Sequence, residues 1–251
     1  MAMDENLRLR YLKAMGIQVW LPRSQAEDRG IEESGPSEHS DSACLKAQRP
    51  RVERAGPRPG DPPKPGVETW AEFERRVAQC TACELHRTRT QTVFGIGSHT
   101  ANWMVIGEAP GASEDEQGKP FVGRAGQLLT EMLRAVGLSR EEVFIANILK
   151  CRPPNNRDPN PLEVEACDSF LKQQLAMVKP GIILAVGRIA AQNLLKSDAP
   201  IGRLRGRVHR YRDIPLIVVY HPAYLLRSPL EKRKAWEDLQ LALQTVKGLQ
   251  P

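Results

Sequence analysis

GIILAVG at residues 181–187, running directly into RIAAQNLL at 188–195, is the stretch that decides the fold. Its apolar run is short, unbroken and closed at both ends by glycine. A run of that length without alternation reads as a strand buried on both faces. Working outward, the same unit recurs. NWMVIG (102–107) precedes GRAGQLLTEMLRAVG (123–137), a helix closed by Gly137. VFIANILK (143–150) precedes a helix expected from about Pro161 to Lys179, and IPLIVVY (214–220) precedes the last one. That final helix is expected to open at Ser228-Pro229-Leu230-Glu231, where Ser can cap, Pro suits the first turn and Glu the third helical position. WAEFERRVAQC, from Trp70, reads as a further helix running into Cys80. Apolar strands separated by helices predict an α/β fold: a three-layer α/β/α sandwich around a central four-stranded, largely parallel sheet. Glu108, Asn147 and His221 fall where these strands end, in the crevice where open α/β sheets bind ligands.

The chain divides into three parts on this reading. Residues 1–23 form a short N-terminal peptide, with an amphipathic helix expected over 4–16 and an apolar extended piece at Ile17, Val19, Trp20 and Leu21. Residues 24–69 hold seven prolines between Pro36 and Pro65 and lack aromatics before Trp70, so they bury too little to offset ordering entropy and read as a flexible linker. Residues 70–251 form the globular domain. A length of 251 residues suits one sizeable domain, and a net charge of +6 favours a polyanionic partner. Apolar runs stay short of the roughly 18 residues of a membrane span, and the N-terminus lacks the apolar stretch of a signal peptide. A cytoplasmic protein without membrane attachment is expected, and nothing in the pattern requires more than a monomer. In that compartment the five cysteines are expected to be free or metal-bound.

Cys80-Thr-Ala-Cys83 is a C-x2-C pair, with Cys151 and Cys167 much further along. Two thiolates at that spacing can share one metal or cluster, and four soft ligands suit zinc or iron–sulfur. Spacing alone leaves those two level, beside a third reading of unconnected core cysteines. Cys44 lies in the linker and reads as a bystander. A nucleotide-binding loop is excluded: Gly118-Lys119 is followed by Pro120, where a phosphate loop requires Ser or Thr, and an acidic run precedes it.

GEAPGASEDEQGKPFVGRAGQLL (107–129), HPAYLLR (221–227) and the four cysteines together resemble the iron–sulfur (family 4) uracil-DNA glycosylases. The resemblance covers about Trp70 to Lys247. It implies hydrolysis of the N-glycosidic bond of uracil in DNA, and a structural 4Fe-4S cluster on Cys80, Cys83, Cys151 and Cys167 without a nucleotide cofactor. It implies that Phe121 stacks on the flipped uracil, although a lone Phe is usually core. Asn147 then accepts from N3–H and donates to O4, in place of merely satisfying a neighbouring loop. His221, otherwise an ordinary surface histidine, sits beside O2, where a hydrogen bond strengthens as the base becomes anionic. Glu108 offsets sugar charge or positions water, with Glu114 as rival and a solvated acidic loop as the plain reading of Glu114 and Asp115. Backbone around Gly107, Ala109 and Gly111 contacts the base. The competing functions are a related glycosylase acting on xanthine or hypoxanthine, and a non-catalytic DNA-binding protein.

GRLRGRVHRYR (202–212) carries Arg203, Arg205, Arg207, Arg210 and Arg212 without an acid, and reads as a solvated face or, beside such a site, a phosphate-contact patch. Tyr224 and Leu225 are candidates to fill the gap left by a flipped base, with Arg227 on a phosphate; the rival is that Leu225 or Leu226 packs under the final helix. YLKAMGIQVWLPR (11–23) resembles the N-terminal segment of the psi subunit of bacterial DNA polymerase III, which docks onto chi, with departures at Met15 and Pro22. That implies a tether to replication or single-strand-binding machinery.

Overall fold

The computed structural model describes Leu9 and residues 68–248. The peptide expected at 1–23 and the linker expected at 24–69 therefore lie outside the described residues, apart from Leu9, Glu68 and Thr69. Residues from Ala71 onward belong to one compact unit, whereas the unit spanning Trp20–Trp70 is almost wholly outside them.

Helix α1 (Trp70–Ala78) buries Phe73 and Val77 and leaves its charged face in water. The strands are β1 (Ile96–Gly97), β2 (Trp103–Gly107), β3 (Phe144–Asn147), β4 (Ile182–Val186), β5 (Val208–Tyr211) and β6 (Ile214–Val219). Between and after them run α2 (Ala112–Gln117), α3 (Arg124–Ala135), α4 (Pro161–Val178), α5 (Arg188–Leu195), α6 (Ile201–Leu204), α7 (Pro222–Arg227) and α8 (Lys232–Gly248). The expectation of a central four-stranded sheet is corrected: the sheet has six strands in the order β1-β3-β2-β4-β6-β5 and is mixed. The four segments read from the sequence are β3, β2, β4 and β6, and these pair parallel. Antiparallel strands were added at both edges, β1 beside β3 and β5 beside β6.

Both omissions have a local cause. β1 is two residues long, too short for a period. β5 lies in the arginine-rich stretch read as a patch, and its VHRY pattern alternates exposed and half-buried residues, as a charged edge strand does. Arg212 and Asp213, with φ of 46° and 66°, form the tight reversal into β6 that a two-residue hairpin demands.

Along the central strands alternate side chains face opposite layers. Val105, Ile145, Leu184 and Ile217 join a core with Leu129 and Leu133 of α3 and Leu239 of α8. Their neighbours Met104, Phe144, Ile183 and Leu216 are equally buried on the other face, where α4 packs on β3 and α5 on β4. The final helix differs slightly from expectation, since Pro229–Glu231 is a 3-10 turn and α8 starts at Lys232. The segment after His221 forms the short helix α7.

Candidate active site

The chain leaves β2 toward β3 on one side and leaves β4 toward β6 on the other, so a crevice opens between the carboxyl ends of β2 and β4. Gly107 ends β2 and is paired in register with Asn147, which ends β3. A Cβ on Gly107 would lie 2.4 Å from Asn147 Oδ1 and 2.6 Å from Phe121 Cζ. Glycine is required because two side chains from other segments converge on its bare backbone. Asn147 is 2% exposed, and its Oδ1 is a buried acceptor without a hydrogen-bond partner. An unpaired buried acceptor is costly.

Phe121 is held in a backbone conformation that few large residues adopt, with φ of 54°. The surroundings supply the restraint. Glu114 accepts from the amides of Gly111 and Val122 at 3.1 and 3.0 Å, which closes the loop on both sides of α2. Arg140 donates to the Pro120 carbonyl at 2.9 Å. Gly126 allows α3 to pass, since a Cβ there would meet the Phe121 carbonyl oxygen at 1.8 Å. Glu114, the rival to Glu108, is thus occupied as a brace. Asp115 is likewise no solvated acid: it is 3% exposed and accepts from Thr90 N at 3.0 Å with both oxygens. Arg140 escaped the sequence reading, and no motif flags it.

His221 caps α7: its Nδ1 accepts from the Ala223 amide at 3.1 Å. That bond places the ring proton on Nε2. Burial, aided by the Arg227 charge, pulls the imidazole down to about 4. At neutral pH the ring is therefore an uncharged donor. It lies against Phe121, with centroids 5.7 Å apart and planes 29° from parallel. Gly187, with φ of 93°, leaves room for it, a Cβ there meeting His221 Cβ at 3.1 Å.

Glu108 is half-buried at the end of β2. Burial and the nearby Asp158 push its carboxyl up to about 7, against the opposing pull of Arg188. Arg188 itself donates to Asp158 Oδ2 at 2.7 Å. Ala109 and Gly111 are also half-buried along the same loop.

The four cysteines expected to act together line one pocket, with Arg89 and Lys150 beside them. Arg89 donates to Cys151 Sγ at 3.0 Å and the Lys150 amide to Cys167 Sγ at 3.3 Å. Among the described residues, no three Cys, His, Asp or Glu side chains converge closely enough for a single ion. A tetrahedral zinc would draw its sulfurs to within about 3.8 Å of one another. A pocket that gathers four thiols more loosely, with the Arg89 guanidinium and the Lys150 main-chain amide donating to sulfur, fits the donor set of a larger iron–sulfur group. Burial pushes Cys167 up to about 11 against the pull of Lys150, and raises Cys151 against the pull of Arg89.

Of the residues expected at DNA, Arg203, Arg207 and Arg227 stand exposed, as do Arg210 and Arg212. Arg205 is turned inward instead, paired with Asp238 at 2.8 Å and donating to the Lys234 carbonyl at 2.6 Å. Leu225 is 1% exposed and belongs to the core, whereas Tyr224, Leu226 and Leu230 are 37%, 38% and 92% exposed. Packing thus takes Leu225 and leaves its neighbours in solvent. No helix among the described residues is long and apolar enough to cross a membrane.

Residues 94–240 match the Uracil DNA glycosylase superfamily. The chain is 46% identical over 180 residues to the Type-4 uracil-DNA glycosylase of Archaeoglobus fulgidus, covering 68% of this chain and 90% of that protein. It is 44% identical over 173 residues to the Type-4 uracil-DNA glycosylase of Pyrobaculum aerophilum, covering 66% and 88%. With the Type-4 uracil-DNA glycosylase of Thermotoga maritima it shares 43% over 176 residues, covering 68% and 92%. The chain therefore belongs to the uracil DNA glycosylase superfamily, among its type-4 members.

Proposed function

We propose that this chain hydrolyses the N-glycosidic bond of uracil in DNA, releasing free uracil and leaving an abasic site. The observation that carries the reading is the convergence of Asn147 Oδ1 and the Phe121 ring on Gly107, with His221 stacked beside them. A flipped uracil lies on Phe121. Asn147 Oδ1 accepts its N3–H while the amide nitrogen donates to O4, and cytosine presents the reverse pattern. His221 Nε2–H donates to O2 as the leaving base becomes anionic; a neutral donor suffices because the bond strengthens with the charge. Glu108, once ionised, offsets positive charge on the sugar and orients the attacking water, a division of labour supported by Glu114's occupation as a brace. Arg203, Arg207 and Arg227 hold phosphates, and Tyr224 with Leu226 supplies the exposed apolar groups that fill the vacated stack.

Cys80, Cys83, Cys151 and Cys167 hold a 4Fe-4S cluster in this reading. Bound there, the cluster supplies a rigid cross-link between the start of the domain and the loop after β3, and no step of the hydrolysis passes through it. The protein acts as a cytoplasmic monomer, with residues 11–23 tethering it to replication or single-strand-binding machinery. Pull-downs with the full chain and with residues 1–66 deleted test the tether: equal recovery of partners removes it. The glycosylase assignment is tested with a labelled single-uracil oligonucleotide treated with alkali, run beside thymine, hypoxanthine and xanthine. Cleavage is expected with uracil and not with thymine, whose methyl group the pocket refuses. Cleavage of hypoxanthine or xanthine without cleavage of uracil overturns it.

A further inference from the structure

Lys150 stands between the cysteine pocket and the end of β3. It is 1% exposed. Its Nζ donates to the Asn147 carbonyl at 2.7 Å and to Gln174 Oε1 at 2.6 Å, while its amide donates to Cys167 Sγ at 3.3 Å. Gln174, itself 0% exposed, passes the chain on to the Phe94 carbonyl at 2.8 Å. The Lys150 carbonyl accepts from Val93 N at 2.7 Å. One residue thus touches a cysteine, the strand carrying the base-reading amide and the segment before β1.

An amine buried this deeply is expensive to desolvate unless its protons find acceptors, and an apolar residue would fill the volume at lower cost. What the amine adds is a hold on the Asn147 peptide. The Asn147 side-chain oxygen has no partner of its own. Its direction therefore depends on how firmly the main chain is placed. The next amides, of Ile148 and Leu149, bond the carbonyls of Gly107 and Glu108 at 3.0 and 3.1 Å, so displacement of this peptide also disturbs the end of β2 that borders the cleft.

We infer that Lys150 is a positioning residue that ties the Asn147 peptide to the packing of Cys151 and Cys167, so that base reading depends on the integrity of the cysteine pocket. The inference rests on the base-reading role proposed for Asn147, but the tie itself is measurable without catalysis. Lys150→Met keeps length and apolar volume and removes both side-chain donors. The full chain, purified anaerobically with its iron, is compared with this variant by iron content, thermal melting, amide exchange over 144–150 and kinetics on a uracil oligonucleotide. Expected are near-normal iron per chain, exchange faster by about tenfold, and kcat/KM per iron-loaded molecule lower by roughly 10–100-fold, as for other outer partners of a site. Gln174→Met is expected to move exchange and kcat/KM in the same direction by less. Unchanged exchange over 144–150, or activity lost only in proportion to iron, overturns the inference. Should Lys150→Met fail to fold, Gln174→Met is judged by the same two readings. A wild-type protein without uracil release sinks the proposed function, while the exchange comparison still decides the tie.

Discussion

Two segments border the cleft and are built on opposite plans. Between Glu108 and Gly123 two carboxylates are spent on the protein itself: Glu114 on Gly111 and Val122, Asp115 on Thr90. Between Pro222 and Glu231 three apolar side chains, Tyr224, Leu226 and Leu230, stand in solvent. On the function proposed above, the difference follows from what each has to do. A base is recognised by groups whose placement is settled before it arrives, because ordering them afterwards would consume the binding energy. A gap in a duplex exists only after flipping, so the groups that fill it wait exposed. Preorganisation belongs to the first segment and availability to the second.

The contrast can be broken most forcefully at His221, which closes the braced side. His221→Ala is expected to lower the single-turnover rate by about 10²–10³-fold, the scale of one donor to a developing anion. A loss of only a few-fold would remove the imidazole from the chemistry. Glu108 comes next. With its carboxyl pushed up to about 7, the rate should climb with pH through that region as the group ionises. Glu108→Gln is expected to flatten that limb and cost roughly a hundredfold above it. The stability effect has the opposite sign. A carboxyl raised from its ordinary 4.5 holds its proton longer in the folded state, so its stabilising share is complete below 4.5 and is lost as pH rises through about 7. Glu108→Gln should therefore melt higher than wild type at pH 8 and not at pH 4, followed by calorimetry.

Loosening the brace tests the first plan directly. Arg140→Met, which frees the Pro120 carbonyl, is expected to reduce kcat/KM about tenfold, with melting changed less than catalysis. Equal activity would show that the strained Phe121 needs no support from this side. The second plan is sharpened by two adjacent leucines. Leu225→Ala should cost about 2–5 kcal/mol in urea unfolding, as buried leucines do. Leu226→Ala should leave unfolding within about 0.5 kcal/mol, yet weaken duplex substrate several-fold more than single-stranded substrate. The smallest expected effect separates two arginines. Arg207→Ala should reduce the salt dependence of DNA binding by about one unit of log–log slope. Arg205→Ala should leave that slope alone and lower stability through the abandoned Asp238.

Much of the architecture was legible because its signals are local. Uniformly apolar runs identify β2, β3, β4 and β6. The edge strands were not legible: β1 is too short to carry a period and β5 is written in charged residues. At the site, strand ends singled out Asn147 and His221 and the family resemblance singled out Phe121, while the brace by Arg140 and the contacts of Lys150 carried no signal.

By itself, the sequence determined the parallel centre of the sheet, the strand ends that carry Glu108, Asn147 and His221, and the set of cysteines, because periodicity, capping and motif spacing are written within a few neighbouring residues. Only the tertiary structure decided which polar and apolar groups are spent internally. Asp115 meets Thr90 from 25 residues away and Arg205 meets Asp238 from 33, and Leu225 rather than Leu226 enters the core. Burial is a property of a side chain and its distant partners together, and no short window of sequence contains both.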